Sequence, residues 1–290
     1  MIDLRAINKT FVADITSVDV RHLSDAEFNE LYTAWLLFGV LRLRNQPVDE
    51  DELQAFSARF GPLEQIPMGK QSDTENAKIR NRYVLQLSNI IVDGKPIGGL
   101  GNAEANWHSD MTYVEAPPPA SVLLGVEIPE QGGDTYFADQ AAAYEALPES
   151  LKHRIRDLTI KHDAAHTSTG ELRAGFDAFD DPRDAPGAVH PMVLEHDETG
   201  GPALYLGRRE WAYIPGLSLD ESESLLDEIW THATRPEFVW QQKWQPGDLV
   251  IWDNRRVLHR RDDFDAQSRR LMKRCQVLSR THSPTGYAPP

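Results

Sequence analysis

The chain has 290 residues, 40% of them hydrophobic, which is enough to build a sizeable core in one or two domains. Its formal net charge of -15 argues against nucleic acid or anionic membrane as a partner, because both need a positive face. The lone cysteine, Cys275, rules out an internal disulfide and a multi-cysteine zinc site, and fits a reducing cytosol.

Met1 to Val20 lacks the apolar core of a signal peptide, and no apolar run is long enough to cross a bilayer, so a cytoplasmic protein is expected. Ser24 and Glu27 form a capping box ahead of Phe28, Leu31, Tyr32 and Trp35 at helical spacing, and Gly39 can end that helix. Val40 to Leu43 reads as a short strand. Asp49 to Phe60 reads as a second helix, stopped by Gly61-Pro62. Tyr83 to Leu87 alternates like a strand, and Asp93-Gly94 joins Ile90–Val92 to Lys95–Ile97 as a hairpin. Ser121 to Ile128 is a nearly continuous apolar strand. Gly132-Gly133 turns the chain into another strand from Asp134 to Phe137, and Asp139 can cap a short helix through Ala146.

His162 to Pro191 is rich in Ala, Asp, Gly and Pro with weak periodicity. Long excursions of this kind often serve as active-site lids, and a flexible linker is the alternative. Strand signals return at Met192 to Leu194 and Ala203 to Leu206. Ser218 to Thr234 is the clearest helix, with a capping box at Ser218 and Glu221. Phe238 to Trp244, Pro246-Gly247 and Leu249 to Trp252 read as a last hairpin, followed by a strand from about Arg270 to Leu278. Many short strands with a few helices predict a mainly β protein with covering helices (α+β), a sandwich or jelly roll.

In an extended segment His108 and Asp110 point to the same side, so one imidazole and one carboxylate can meet at a point. That pair alone is a weak signal. His259, after the apolar strand Leu249 to Trp252, can complete a set of two histidines and one carboxylate. Such a set leaves open positions on a non-haem iron(II) ion. His162 and His166 would share a face only in a helix, and the other histidines lack a suitably spaced carboxylate. Between Arg255 and Arg280 there are nine Arg or Lys against three acids, Asp262, Asp263 and Asp265, a local reversal in an acidic chain. If the last strand is extended, Arg270, Met272 and Arg274 share one face, and two parallel guanidinium groups can grip anions. Thr135 offers a hydroxyl just after the Gly132-Gly133 turn, although by itself this is a hairpin turn and nothing more.

These pieces occur in one order that resembles the TauD/TfdA family of iron(II)/2-oxoglutarate-dependent dioxygenases. The matching stretches are WHSDMTY (Trp107 to Tyr113), GGDTYFAD (Gly132 to Asp139), AYEALP (Ala143 to Pro148), PGDLVIWDNRRVLHRR (Pro246 to Arg261) and RRLMKR (Arg269 to Arg274). The resemblance implies a double-stranded β-helix (jelly-roll) core in a single domain, 1–290, with lid-like excursions at about 63–106 and 162–191. It implies His108, Asp110 and His259 as Fe(2+) ligands, with 2-oxoglutarate and O2 as co-substrates. It implies that Arg270, eleven residues after His259, grips the distal carboxylate of 2-oxoglutarate with help from Thr135. Arg274 falls at a position that contacts the substrate anion in the taurine enzyme. The implied reaction hydroxylates a C–H bond of a small anionic substrate, a sulfonate, carboxylate or similar, and releases succinate and CO2. One departure is Glu104, where the taurine enzyme has a substrate-contacting asparagine, so taurine is not the expected substrate. A zinc-type hydrolase and a non-catalytic anion-binding jelly roll are the competing readings. The sequence is compatible with a homo-oligomer and fixes no subunit count.

Overall fold

The computed structural model describes residues 2–8, 11–66 and 81–279, without the side chains of Asn8 and Leu100. Strand alternation sets its layers. In Leu249–Asp253, Leu249 and Ile251 pack to one side while Val250 and Trp252 pack to the other, and all are buried. A strand buried on both faces must lie inside a layered structure.

Among the described residues, the strands, numbered in chain order, form two main sheets. The larger has the order β1 (Leu4–Asn8), β2 (Val12–Ile15), β3 (Val40–Leu43), β16 (Leu249–Asp253), β9 (Ala120–Glu127), β18 (Leu271–Val277), β4 (Leu85–Ser88) and β7 (Gly99–Leu100). The smaller has the order β15 (Val239–Gln242), β10 (Thr135–Asp139), β17 (Val257–Arg261) and β8 (Ala105–His108). Leu123, Val250, Trp252 and Met272 from the first meet Phe137 and Val257 from the second in a shared core. The outer face of the larger sheet is covered by α1 (Asp25–Phe38) and α2 (Glu50–Ser57), through Leu31, Trp35, Leu53 and Phe56. The outer face of the smaller sheet is covered by α3 (Gln140–Glu145), α4 (Glu149–Ile155) and α5 (Leu219–Ala233). This is the expected jelly roll with covering helices.

Local signals set several boundaries. Ser24, Asp49 and Ser218 each close a capping box, and Gly39 ends α1 with φ 84. Asp93 (φ 50) and Gly94 (φ 74) make the left-handed turn between β5 (Ile91–Val92) and β6 (Lys95–Pro96). Two ribbons complete the set: β11 (Thr159–Lys161) with β12 (Val189–Pro191), and β13 (Val193–Glu195) with β14 (Pro202–Leu204). The first ribbon frames the 162–191 excursion at its base. Residues 67–80, inside the other expected excursion, lie outside the described residues.

The structure corrects two expectations of local structure. Phe238 to Trp244 and Leu249 to Trp252 do not form a hairpin. β15 pairs with β10 in the smaller sheet, whereas β16 lies between β3 and β9 in the larger. The turn between them is tied to other elements. Gly247 N–H donates to the Gly125 carbonyl at 2.8 Å, and the Asp248 carboxylate accepts from Arg44 at 2.8 Å. These bonds turn a corner between sheets where a free hairpin would fold back on itself. The expected second helix also ends early, at Ser57, leaving Phe60 buried in the following turns. Helix α4 was not read in advance because it begins directly behind Pro148 and carries only Leu151 and Ile155 as buried residues.

The turn from β16 to β17 is held by a buried charge cluster. Asp253 accepts from Arg255 Nη2 at 2.7 Å and from His196 Nε2 at 2.9 Å. His196 Nδ1 accepts the Glu198 and Thr199 amides at 3.2 Å, so the proton sits on Nε2. Burial opposes ionisation of Asp253, but Arg255 and His196 hold its carboxyl down at about 2. A carboxyl depressed by folding stabilises above its unfolded pKa, so this contribution is lost as pH falls from 3.8 towards 2. Asp253→Asn should therefore cost about 3 kcal/mol at neutral pH and flatten the acid limb of stability over that window. Urea unfolding of both proteins across the acid range checks this.

Candidate active site

Strands β8 and β17 run antiparallel with His108 directly across from His259, and their rings lie 4.1 Å apart between centroids. Asp110 follows two residues after His108, in a turn where Met111 takes a left-handed φ of 52. Each histidine Nε2 lies 3.8 Å from Asp110 Oδ1, and the ligand atoms of all three residues fall within 4.8 Å of one another. Among the described residues this is the only such trio of His, Cys, Asp or Glu donors.

The protonation states suit a metal. His108 Nδ1 lies 2.7 Å from the Asn106 carbonyl, which can only accept, so Nδ1 carries the hydrogen and the Nε2 lone pair turns to the common point. Burial, and then the neighbouring His259, push the His108 pKa well below its ordinary value. Burial likewise lowers that of His259. Burial opposes a charge on Asp110, but the Arg274 guanidinium and the Ser121 hydroxyl keep it ionised. Two neutral imidazoles and a carboxylate are a donor set that fits Fe(2+).

Neighbours fix these ligands. The Asp110 amide donates to Asn254 Oδ1 at 2.7 Å, and Asn254 Nδ2 donates back to the Asp110 carbonyl at 2.8 Å. Ser121 Oγ donates to Asp110 Oδ2 at 2.9 Å, which leaves Oδ1 facing the histidines. The His259 ring packs 4.9 Å from that of Trp252 and 6.2 Å from that of Phe137.

The second half of the site lies on β18 and the residues before it. Lys273 points outward to Glu50 at 3.1 Å, and Arg269 pairs with Glu127 at 2.7 Å. The alternate set, Arg270, Met272 and Arg274, faces inward. Arg270 is 3% exposed, and its guanidinium makes one hydrogen bond among the described residues, Nη2 to the Gly133 carbonyl at 3.3 Å. Among the described residues it has no carboxylate partner. Burial, and then Arg261, push its guanidinium down to about 9. A buried cation without a counter-ion is costly, so this is a place built for an anion. Gly133 has φ 68, and a Cβ there would lie 3.2 Å from Arg270 Nε, so the turn that looked merely structural also lets the guanidinium pass. Thr135 is buried, and its Oγ1 accepts from Trp244 Nε1 at 3.0 Å, which leaves its hydroxyl hydrogen to give away.

A cavity of about 1320 Å³ opens beside the trio. His108 and Asp110 line it, as do Arg274, Arg208, Arg173 and Glu64. Arg274 Nη1 donates to Asp110 Oδ1 at 3.1 Å, so this arginine borders both the trio and the cavity. Glu104 is exposed, contacts Arg260 at 3.4 Å and is absent from the lining, so it does not act in the cavity as its sequence position suggested. His162 and His166 stay outside the trio. His166 stacks on Trp211 at 5.1 Å and bonds Asp163 at 2.9 Å, while His162 is buried under Gly207. Sequence reasoning missed Arg208, Arg173, Glu64, Ser121 and Asn254. Asn254 lies inside the matching stretch Pro246 to Arg261, but nothing in its spacing, or in that of Arg208, marks it out.

A jelly roll that joins two neutral imidazoles and a carboxylate, with a buried arginine awaiting an anion, defines a non-haem iron, 2-oxoglutarate-dependent dioxygenase. The chain belongs to the family described as "Taurine catabolism dioxygenase TauD, TfdA family", which it matches over residues 3–276. It is 33% identical to the (S)-phenoxypropionate/alpha-ketoglutarate-dioxygenase of Sphingobium herbicidovorans, covering 99% of this chain and 98% of the relative. It is 34% identical to the alpha-ketoglutarate-dependent 2,4-dichlorophenoxyacetate dioxygenase of Cupriavidus pinatubonensis, covering 94% and 96%. The crystal structure of AAD-2 in complex with Mn(II) and N-oxalylglycine is 30% identical and superimposes with a TM-score of 0.78, over 96% of this chain and 98% of that one. The protein therefore uses Fe(2+), 2-oxoglutarate and O2.

The clamp on Asp110 can be tested without turnover. Asn254→Ala removes both backbone bonds to the metal-facing carboxylate residue. It should weaken binding of Mn(II), a stand-in for iron, by about tenfold or more in calorimetric titration.

Proposed function

We propose that His108, Asp110 and His259 hold iron(II), that Arg270 and Thr135 bind the distal carboxylate of 2-oxoglutarate, and that Arg274 with Arg208 takes the anion of a small organic substrate. The reaction is hydroxylation of a substrate C–H bond with release of succinate and CO2. The observation that carries this reading is Arg270. It is a buried guanidinium that no carboxylate among the described residues bonds or pairs with, and it shares an inward-facing side of its strand with Met272, a residue of the inter-sheet core. A zinc hydrolase would give Arg270 no duty, and a non-catalytic anion binder would not need the trio.

Iron, when bound, supplies the activation of O2. The rest falls to the protein. His108 and His259 offer neutral lone pairs. Ser121 holds one Asp110 oxygen away from the histidines, and the other, which also accepts from Arg274, faces them. Arg270 and Thr135 orient one end of the co-substrate by charge and by hydrogen bond. Arg274 and Arg208 line the cavity and favour an anionic group on the substrate. The relatives named for (S)-phenoxypropionate and 2,4-dichlorophenoxyacetate point to an aryloxy acid or a similar carboxylate as the substrate class. The chain acts as one catalytic domain, 1–290, in the cytoplasm, and described residues of both excursions, among them Glu64, Tyr83 and Arg173, line the cavity. Among the described residues, no helix is long and apolar enough to cross a membrane.

Purified protein with iron(II), ascorbate and 2-oxoglutarate should release succinate in the presence of an accepted substrate. If 2-oxoglutarate neither binds nor yields succinate, the reading fails. His108→Ala should abolish turnover. Arg270→Ala removes a charged two-point contact costing on the order of 2–5 kcal/mol, so the KM for 2-oxoglutarate should rise about thirtyfold or more. An unchanged KM would remove Arg270 from the co-substrate site.

A further inference from the structure

Glu64 lies on the cavity wall near Arg274. Leu63 bridges to Val277, and the Glu64 amide donates to the Gln276 carbonyl at 2.9 Å. The segment thus runs beside the end of β18, whose last inward residues are Arg274 and Gln276. The Glu64 side chain is half-buried, and it borders the cavity. Among the described residues its carboxylate has neither a hydrogen bond nor an ion pair.

The nearby cation does not pair with Glu64. Arg274 donates to Asp110 Oδ1 and to Gln276 Oε1, both at 3.1 Å. Burial pushes the Glu64 carboxyl up, against the pull of Arg274. A desolvated carboxylate without a donor costs stability, and a ligand that brings a donor relieves that cost. The same wall also holds buried donors without acceptors, Gln276 Nε2 and Arg274 Nε. Unfilled donors and an unfilled acceptor therefore stand together. A purely anionic ligand satisfies the donors but meets Glu64 as a like charge or as an unused acceptor. Leu85 and Leu87 line the cavity as well and suit an apolar body.

We propose that Glu64 is a specificity-determining residue, and that the substrate carries an ammonium or comparable N–H donor against it, in addition to an anion and an apolar body. This rests on the substrate cavity proposed above.

Two probes of matched outline separate the possibilities: para-(aminomethyl)phenoxyacetate and para-ethylphenoxyacetate, which differ by an ammonium in place of a methyl. Each is titrated calorimetrically into protein loaded with Mn(II) and N-oxalylglycine. The wild type should bind the ammonium probe about tenfold or more tightly than the ethyl probe, as a charge-assisted hydrogen bond allows. Glu64→Gln should bring the two affinities to within about twofold. The wild-type preference needs no variant and already decides against the idea if it is absent. A protein that holds N-oxalylglycine yet binds neither probe, prefers the ethyl probe, or keeps its preference in Glu64→Gln overturns the role of Glu64 and leaves the co-substrate site standing. Failure to hold N-oxalylglycine overturns both.

Discussion

The register between β8 and β17 is the constraint on which the centre depends. His108 and His259 face each other because the two strands pair at those positions. Side chains alternate along a strand, so a slip of one residue would turn His259 outward and bring Leu258 or Arg260 in. The neighbouring strand protects against that slip. β10 pairs residue by residue with β17, placing Phe137 opposite His259 and Ala138 opposite Leu258. Phe137 belongs to the inter-sheet core, while Ala138 and Leu258 belong to the core beneath the helices. A shift would therefore break two cores at once. The two histidines are thus held in register by hydrophobic packing on both sides of their sheet.

The same layer that gives rigidity also carries buried charge. Asp110, Arg270, Arg261 and His259 are all buried between or beside the sheets. Their compensation is uneven. Asp110 has Ser121, Arg274 and the backbone clamp from Asn254, and Asp253 is saturated by Arg255 and His196. Arg270 has only one long bond to a carbonyl. A fold selected for stability alone would fill that position with a hydrophobic residue. The uncompensated group stands where an anionic ligand would complete it, and the fully compensated groups hold its surroundings in place.

Much of this was legible in the chain. The capping boxes at Ser24 and Ser218, the Asp93-Gly94 turn and the alternation from Arg270 to Arg274 depend on local geometry, and local geometry can be read from spacing. The meeting of His108 with His259 could be inferred from residue types and from the family resemblance, but not from spacing, because more than a hundred residues of sheet crossings lie between them. The false hairpin at Pro246-Gly247 has the same origin. A turn signal reports that the chain bends, and not which sheet receives the next strand. Strand β17 escaped notice because its inward residues include His259 and Arg261, which carry no hydrophobic pattern. Glu64 and Arg208 become visible only when distant segments close one cavity.

These facts divide the molecule into two kinds of wall. One is made of strands: β8, β10, β17 and β18 carry His108, His259, Thr135 and Arg274, Asp110 directly follows β8, and Arg270 directly precedes β18. Their positions follow from ladder hydrogen bonds, so few alternatives are open to them. The other comes largely from connections, with Glu64 before the second sheet strand of that region, Arg173 in the 162–191 excursion and Arg208 after β14. Connections can change length and composition without disturbing the ladder. A reaction whose demands are constant, holding a metal and a dicarboxylate, belongs on the first wall. A demand that varies, the fit of one organic molecule, belongs on the second. The trio and its surroundings are therefore the part of this protein most firmly fixed by its fold, and the cavity wall that includes Glu64 is the part most open to change one residue at a time.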